Sequence, residues 1–462
     1  VPQSFSVGAH VYSRWTAALG QPTSPEIAVT ASGKTGYYQN FSGGQGLIAS
    51  PGGSVYTASG AIYESWTPLS WGWPTGDPTP LAARGINGYT QTFSEGTAGN
   101  SQAFWTPNYG TAWVDGTILA EYNKQGGPAG SWGWPTASIQ KQSGFGVAGT
   151  SLALQGSRSV ISSKYGLFVS DGGDGGAIAA AWSPARWGWP TAAPARTVAR
   201  GITGYRQTFA EGATGVAEAF WTPNYRTTWL DGAVLNTYRA VGGPAWGWPT
   251  SSIKKQMAFG APGSFVALQN GRSIISSKYG TFSGNGVDKG AVFASWSPAR
   301  YGWPTTRLTA INAHGIAGYQ QKFAQSSTAQ TRAFWSAQVP TPIWLGGTVL
   351  SRYDVLGGTP VVGWPTAVAT TQAAFGVQGS IQRFQSRALI TSSYGTYSSN
   401  GLMLASWKPA LRGWPTADLR STMLKGKAGW LQTFRRGAKG LDYGFLAKGT
   451  RTVVWVSGTP PK

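Results

Sequence analysis

The sequence predicts a mainly β chain built as a closed, propeller-like ring of eight repeats, a single domain spanning 1–462. Three observations predict it. A Trp-Pro turn returns along the whole chain, as "SWGWPT" at 70–75 and 131–136, "RWGWPT" at 186–191, "AWGWPT" at 245–250 and "RYGWPT" at 300–305. A bulky apolar residue follows each turn proline at a fixed offset. The chain also stops part-way through a repeat that its opening residues complete.

The turn prolines are Pro22, Pro74, Pro135, Pro190, Pro249, Pro304, Pro365 and Pro415, and the gaps between them alternate long and short, which divides the copies into class A and class B. Repeats of this period mark arrays in which each unit buries its apolar face only against its neighbours. Nineteen residues after the prolines stand Phe41, Phe93, Leu154, Phe209, Leu268, Phe323, Phe384 and Phe434. In class A the surrounding residues read "GYTQTF", "GYRQTF", "GYQQKF" and "GWLQTF". That alternation fits a strand with one buried face.

A second strand is expected at "AFWTP" in class A or "SVISS" and "SIISS" in class B, and a third at "TAWVDG", "TTWLDG" or "YGTFS". The period then changes. An apolar residue and an aromatic stand four apart, as in Ile62 and Trp66, Ile118 and Tyr122, Ile178 and Trp182, or Met403 and Trp407. Spacing of four places both on one face of a short helix, which Gly-Gly or Ser-Pro is expected to end before the next turn. Each repeat is therefore read as about three strands, a short helix and a tight turn.

After Pro415 a class A copy runs through "GWLQTF" to "TVVWVSG", and "GAHVYSRW" at 8–15 supplies the helix it lacks. One repeat, 416–462 plus 1–22, is thus expected to be shared between the termini. A ring is the simplest arrangement, because closure covers sheet edges and leaves no end unit with a bare apolar face.

These motifs resemble LGFP repeats of actinobacterial cell-envelope proteins, through Leu19-Gly20-Gln21-Pro22 and its variants such as Trp132-Gly133-Trp134-Pro135, preceded by "GGP" or "SPAR" and followed by "Q-x-F". The resemblance covers essentially the whole chain. Class B departs from it where Leu152 and Val266 replace the glutamine of "Q-x-F". It implies an all-β, propeller-like module that holds an exported protein on wall polysaccharide, such as arabinogalactan or an anionic wall glycopolymer. Any catalytic domain is expected on the parent chain. With Val1 rather than Met at its start, the chain reads as part of a longer exported precursor, secreted and associated with the cell wall.

The chain has 36 Lys and Arg against 15 Asp and Glu, a net charge of +21. Such a field favours anionic partners and weakens with salt. The cations are dispersed rather than grouped into an arm, and no nucleic-acid recognition motif is present, so nucleic acid is not the expected partner. The lack of cysteine excludes disulfides, thiolate metal sites and a thiolate nucleophile. No stretch is apolar for long enough to span a membrane as a helix, and a monomer is expected.

The turn tryptophans Trp73, Trp134 and Trp189 recur in both classes, so packing between units is the preferred reading over a sugar platform. Features confined to one class are better binding candidates. Ten residues after the proline, class A places Arg84, Arg200, His314 and Lys425, where class B places Ser32, Phe145, Phe259 and Phe375. Class A also carries Trp105, Trp221 and Trp335 in "AFW"; neighbours on a strand face opposite ways, so one aromatic of each pair must leave the main core. Class B carries Arg158, Arg272 and Arg387, with Lys164 and Lys278 six residues after the first two. A planar guanidinium is suited to clamp a phosphate or carboxylate. Solvated surface charge and aromatic core packing compete with these roles.

No catalytic residue, metal ligand or cofactor is assigned. His10 and His314 are the only histidines, neither beside a nucleophile-elbow motif, and metal-ligand spacing is missing. Carboxylates such as Asp115 and Asp231 are repeat equivalents, which points to structure. The expected function is multivalent, non-catalytic binding of wall polysaccharide through aromatic and cationic sites. The rivals are a wall glycan hydrolase or lyase on the same fold, and an electrostatic binder of nucleic acid or anionic lipid.

Overall fold

The computed structural model describes residues 4–461 except 98, 213 and 214. Residues 1–3 and 462, which belong to the shared repeat, lie outside them. The chain divides into two compact units, Val1–Leu235 and Asn236–Lys462. Each unit contains four antiparallel sheets, alternately of four and five strands, class B giving the four-stranded ones.

In the first unit a four-stranded sheet runs Ile27–Ala31, Lys34–Asn40, Gln45–Ala49 and Val55–Ser59. The five-stranded sheet after it adds the turn segment Gly72–Pro74 to Thr79–Ala83, Ile86–Gly96, Gly99–Thr106 and Gly110–Asp115. Both Gly72–Pro74 and Thr79–Ala83 pair with Ile86–Gly96, so together they form one interrupted edge. In the second unit the same alternation begins with Lys254–Ala258, Ala261–Leu268, Arg272–Ser277 and Gly280–Gly284.

The nineteen-residue register is a pairing register. Pro74 lies opposite Phe93, Pro190 opposite Phe209, Pro304 opposite Phe323 and Pro415 opposite Phe434. Isolated bridges pair Pro22 with Phe41, Pro135 with Leu154, Pro249 with Leu268 and Pro365 with Phe384. Proline lacks an N–H, so it suits this edge position.

Leaving aside the turn segment, which joins the class A sheets as a fifth strand, four strands form where about three were expected. The additional one, for example Gln140–Gly144 or Lys254–Ala258, is exposed over nearly its whole length. It carries no apolar alternation because it has almost no buried face. A two-residue turn joins it to the next strand, and both turn residues have positive φ, as in Arg84 (51°) and Gly85 (74°) or Phe145 (52°) and Gly146 (73°). Positive φ at both positions is the type I′ geometry that matches strand twist.

The helices confirm the spacing of four. Ile62, Ile118, Ile178 and Met403 are all at most 1% exposed. The aromatic partner is anchored as well as buried: Trp66 Nε1 donates to the Gly72 carbonyl at 2.8 Å, Tyr122 Oη to Gly133 at 2.6 Å and Trp182 Nε1 to Gly188 at 2.8 Å. All eight copies make this bond, including Trp15 to Gly20 at 3.2 Å and Trp407 to Gly413 at 2.9 Å. The glycine beside the turn tryptophan or glutamine is therefore the acceptor for the helix of the preceding repeat. Ser-Pro departs from expectation, since it ends one helix and also starts another, with proline in the first turn of Pro184–Trp187 or Pro298–Tyr301.

Turn tryptophans seal adjacent repeats. Trp134 joins Phe104 and Val114 of one sheet to Leu152, Leu154 and Val160 of the next. Its Nε1 donates to the Ala83 carbonyl at 3.0 Å, on the near side of a hairpin turn; Trp303 and Trp414 donate across the equivalent turns to Ala261 and Val377, both at 3.1 Å. Each ring lies on a glycine of the preceding repeat. A Cβ on Gly36 would stand 2.6 Å from Trp73, on Gly149 2.5 Å from Trp189 and on Gly379 2.4 Å from Trp414. Only glycine leaves room for the indole. Burying roughly 200 Å² of such a ring at about 25 cal/mol per Å² gives an upper figure of about 5 kcal/mol per wedge.

Candidate functional site

In the first unit one kind of groove is built three times. Thr23, Tyr38, Asn40, Phe41, Tyr63 and Trp66 line the first, of about 600 Å³. Thr75, Phe93, Ser101, Gln102, Leu119 and Asn123 line the second, of about 510 Å³. Thr136, Gln142, Ser151, Leu154, Arg158 and Trp182 line the third, of about 560 Å³. The same local logic makes each one. The residue paired with the turn proline is in the floor, the threonine after that proline is at the rim, and the helix leaving the sheet is a wall.

The polar lining is largely hydroxyl and amide. Tyr63 donates its hydroxyl to Asn40 Oδ1. Burial, reinforced by the neighbouring Tyr38, pushes that hydroxyl well above the ordinary phenol range, so it remains a donor. In the second groove Asn123 Nδ2 donates to Gln102 Oε1 at 3.0 Å, and Gln102 Nε2 donates to Thr90 Oγ1 at 2.7 Å. In the third, Gln142 Nε2 donates to Ser151 Oγ at 3.1 Å. Hydroxyls and amides beside aromatic rings suit a ligand with polar edges and an apolar face.

Of the predicted residues, Arg158 alone lines one of these three grooves. Arg84 is at a hairpin turn, and its Nη2 donates to the carbonyls of Gly130 at 2.7 Å and Ser131 at 3.0 Å. His314 occupies the equivalent turn and contacts the Pro360 carbonyl through Nε2 at 3.0 Å. Arg200 and Lys425 share that backbone geometry, with φ of 51° and 47°. In Arg84 and His314, then, the class A position ties a turn to the loop before the next Trp-Pro turn.

Trp105 packs against the cluster of Ile48, Ile62 and Trp73, while its neighbour Phe104 joins the cluster of Trp134 and Leu152. The two sides of the strand thus meet two different sheets. Trp221 and Trp335 repeat this placement, and all three face a cross-strand tyrosine, Tyr89, Tyr205 or Tyr319, at 5.9, 6.1 and 6.0 Å between ring centroids. Arg272 lies over the Trp246 ring at 5.4 Å and donates to the Trp246 carbonyl, and Arg387 Nε reaches Ser386 Oγ at 3.5 Å. Lys164 and Lys278 are exposed and lie over Tyr165 and Tyr279 at 5.1 and 5.2 Å.

The glutamine of "Q-x-F" is buried scaffolding. Gln91 Nε2 donates to the carbonyls of Gly76 and Thr57, and Gln432 Nε2 to those of Ala417 and Ser398. Leu152 and Val266 fill the same place with apolar volume. Sequence reasoning missed the rim threonines, although threonine follows the turn proline in all eight copies. It also missed Ser151 and Gln142, whose significance depends on which strand positions flank the helix.

Residues 19–71 and 72–130 match the LGFP repeat family model. These two segments are LGFP repeats. Each match opens at a Trp-Pro or Leu-Gly turn and closes just before the next, so an LGFP repeat comprises the turn, its sheet and its helices. The first groove is lined wholly from within the first LGFP repeat, and the second from within the second. The comparison with curated proteins gave no match. Among solved structures, a six-bladed β-propeller fungal lectin from Aleuria aurantia shares 8% identity, covering 69% of this chain and 92% of its own, at a TM-score of 0.12. A GH43_1 enzyme from Xanthomonas citri complexed with xylotriose shares 10%, covering 56% of this chain and 89% of its own, at 0.11. At such TM-scores neither likeness bears on the fold or on a ligand.

Proposed function

We propose that this chain is a non-catalytic carbohydrate-binding module, which attaches a secreted protein to cell-wall polysaccharide through several weak sites. The observation that carries the reading is the groove repeated in three successive repeats of the first unit, each with hydroxyls or amides at its edge and apolar or aromatic side chains in its floor. One such groove matches the scale of a sugar unit rather than a protein interface. A polymer with repeating units engages several at once, and linkage raises overall affinity by roughly 10²–10⁴ without any new contact. The net charge of +21 adds a salt-sensitive attraction to anionic surfaces.

Co-sedimentation of the purified chain with insoluble actinobacterial walls tests this reading, using walls intact or stripped of secondary polysaccharide, at low and high salt. The expected result is binding that survives salt, is lost on stripping and releases no reducing ends. Salt-labile binding that ignores stripping would point to bulk charge. Reducing ends in the supernatant would point to a glycan hydrolase. Either result overturns the proposal.

A further inference from the structure

The third groove differs from the corresponding positions of the first and fifth repeats in two ways. In the first repeat Tyr63 stacks beside Trp66 at 6.3 Å and Tyr38 meets that indole edge-on at 5.8 Å. In the fifth, Phe293 and Phe265 pack on Trp296 at 6.0 and 5.1 Å. The corresponding positions in the third repeat are Ala179 and Ser151, both lining the groove with Trp182. Removing two aromatic rings uncovers the indole. Trp182 remains fixed, because its Nε1 is bonded to Gly188 and its ring meets Trp189 edge-on at 5.2 Å.

The second difference is Arg158. Its fifth-repeat equivalent, Arg272, is held by the Trp246 carbonyl and ring. The first repeat has Gln45 at this position. Arg158 is partly buried in the groove wall, and among the described residues no carbonyl or carboxylate engages it. The groove therefore combines an open indole, one uncommitted guanidinium and the hydroxyl and amide pair of Ser151 and Gln142.

We infer that the third groove binds an acidic pyranose, a sugar unit carrying a carboxylate, with its C–H face on Trp182 and its carboxylate on Arg158. This rests on the carbohydrate-binding reading above and gives one of its sites a ligand class. A guanidinium pairs with a carboxylate in bidentate geometry, and one cation balances one charge. A phosphate dianion needs more donors. The nearby helix Ala177–Ala181 does not supply them, because Asp174 already accepts from the N–H groups of Gly176 at 3.0 Å and Ile178 at 2.9 Å.

Ligand-observed NMR titration of the whole chain with methyl glucuronide, methyl glucoside and inorganic phosphate tests the inference, using Arg158→Gln and Ala179→Phe. The second variant restores an aromatic that the fifth repeat already tolerates. The wild type is expected to prefer the glucuronide by about tenfold, as one charge-assisted pair allows. Arg158→Gln should abolish that preference, and Ala179→Phe should remove the preferred binding. Equal affinity for both sugars, a preference that survives Arg158→Gln, or phosphate displacing the glucuronide at equal concentration would each overturn it. Co-sedimentation separates the two claims. Wall binding that Ala179→Phe retains, together with no glucuronide preference in the wild type, defeats the acidic-sugar site alone; failure of the wild type to bind walls defeats the general reading.

Discussion

Replacing Trp134 measures how much a turn tryptophan contributes as a wedge between repeats. The side chain is 0% exposed and packs against Phe104, Leu152 and Leu154, and its Nε1 donates to Ala83 at 3.0 Å. Trp134→Ala removes the ring and leaves a cavity over Gly88, so the expected loss is about 4 kcal/mol. Trp134→Phe keeps much of the volume and loses one neutral hydrogen bond, for about 1–2 kcal/mol in all. Trp73 provides the control. It is similarly buried, at 2% exposure, but its Nε1 has no acceptor among the described residues. Trp73→Phe should therefore cost about 1 kcal/mol less than Trp134→Phe. Hydrogen exchange followed by mass spectrometry reads these values locally, over 79–96 and 147–154, without assuming that the whole chain unfolds as one. Equal costs for the two phenylalanine variants would refute the role of the indole bond, and a loss under about 1 kcal/mol for Trp134→Ala would refute the wedge itself.

Two further predictions concern ties within single repeats and between neighbours. Burial, outweighing the bond to Thr359 and the nearby Arg332, pushes the Tyr353 hydroxyl up to about 12. A raised folded value means that its stabilisation is complete below the ordinary phenol pKa of about 10 and is lost as pH rises through the folded value. Tyrosinate absorbance should rise late for this residue, and Tyr353→Phe should flatten that part of the alkaline stability profile; an unchanged profile would count against the assignment. Arg84→Met removes the bonds to Gly130 and Ser131, so it should lower local stability by about 1 kcal/mol while leaving wall co-sedimentation unchanged. Lost sedimentation with unaltered exchange would instead make Arg84 a ligand contact.

Much of the fold was legible because its signals are local and recur. Proline at an edge, a bulky partner nineteen residues on and an aromatic four residues after an apolar residue repeat often enough to reveal the register, and the structure turns that register into Pro74 opposite Phe93 and Pro135 opposite Leu154. The strand Lys254–Ala258 left no such signal, because four of its five residues face solvent. Residue class alone also suggested more for the cations than geometry supports: Arg84 looked available for a ligand, but the turn that carries it aims it at backbone carbonyls of the loop before the next Trp-Pro turn.

The sequence by itself determined the repeat, its register, the alternation of two classes and the mainly β character, since these follow from residue type at fixed spacing. Only tertiary structure decided which side chains share a groove. Ser151, Arg158 and Ala179 are ordinary positions on two strands' worth of chain and a helix until the helix crosses beside the sheet; their meaning comes from what packs around Trp182. Spacing along a chain fixes local periodicity, whereas a binding site depends on distances between segments that spacing does not set.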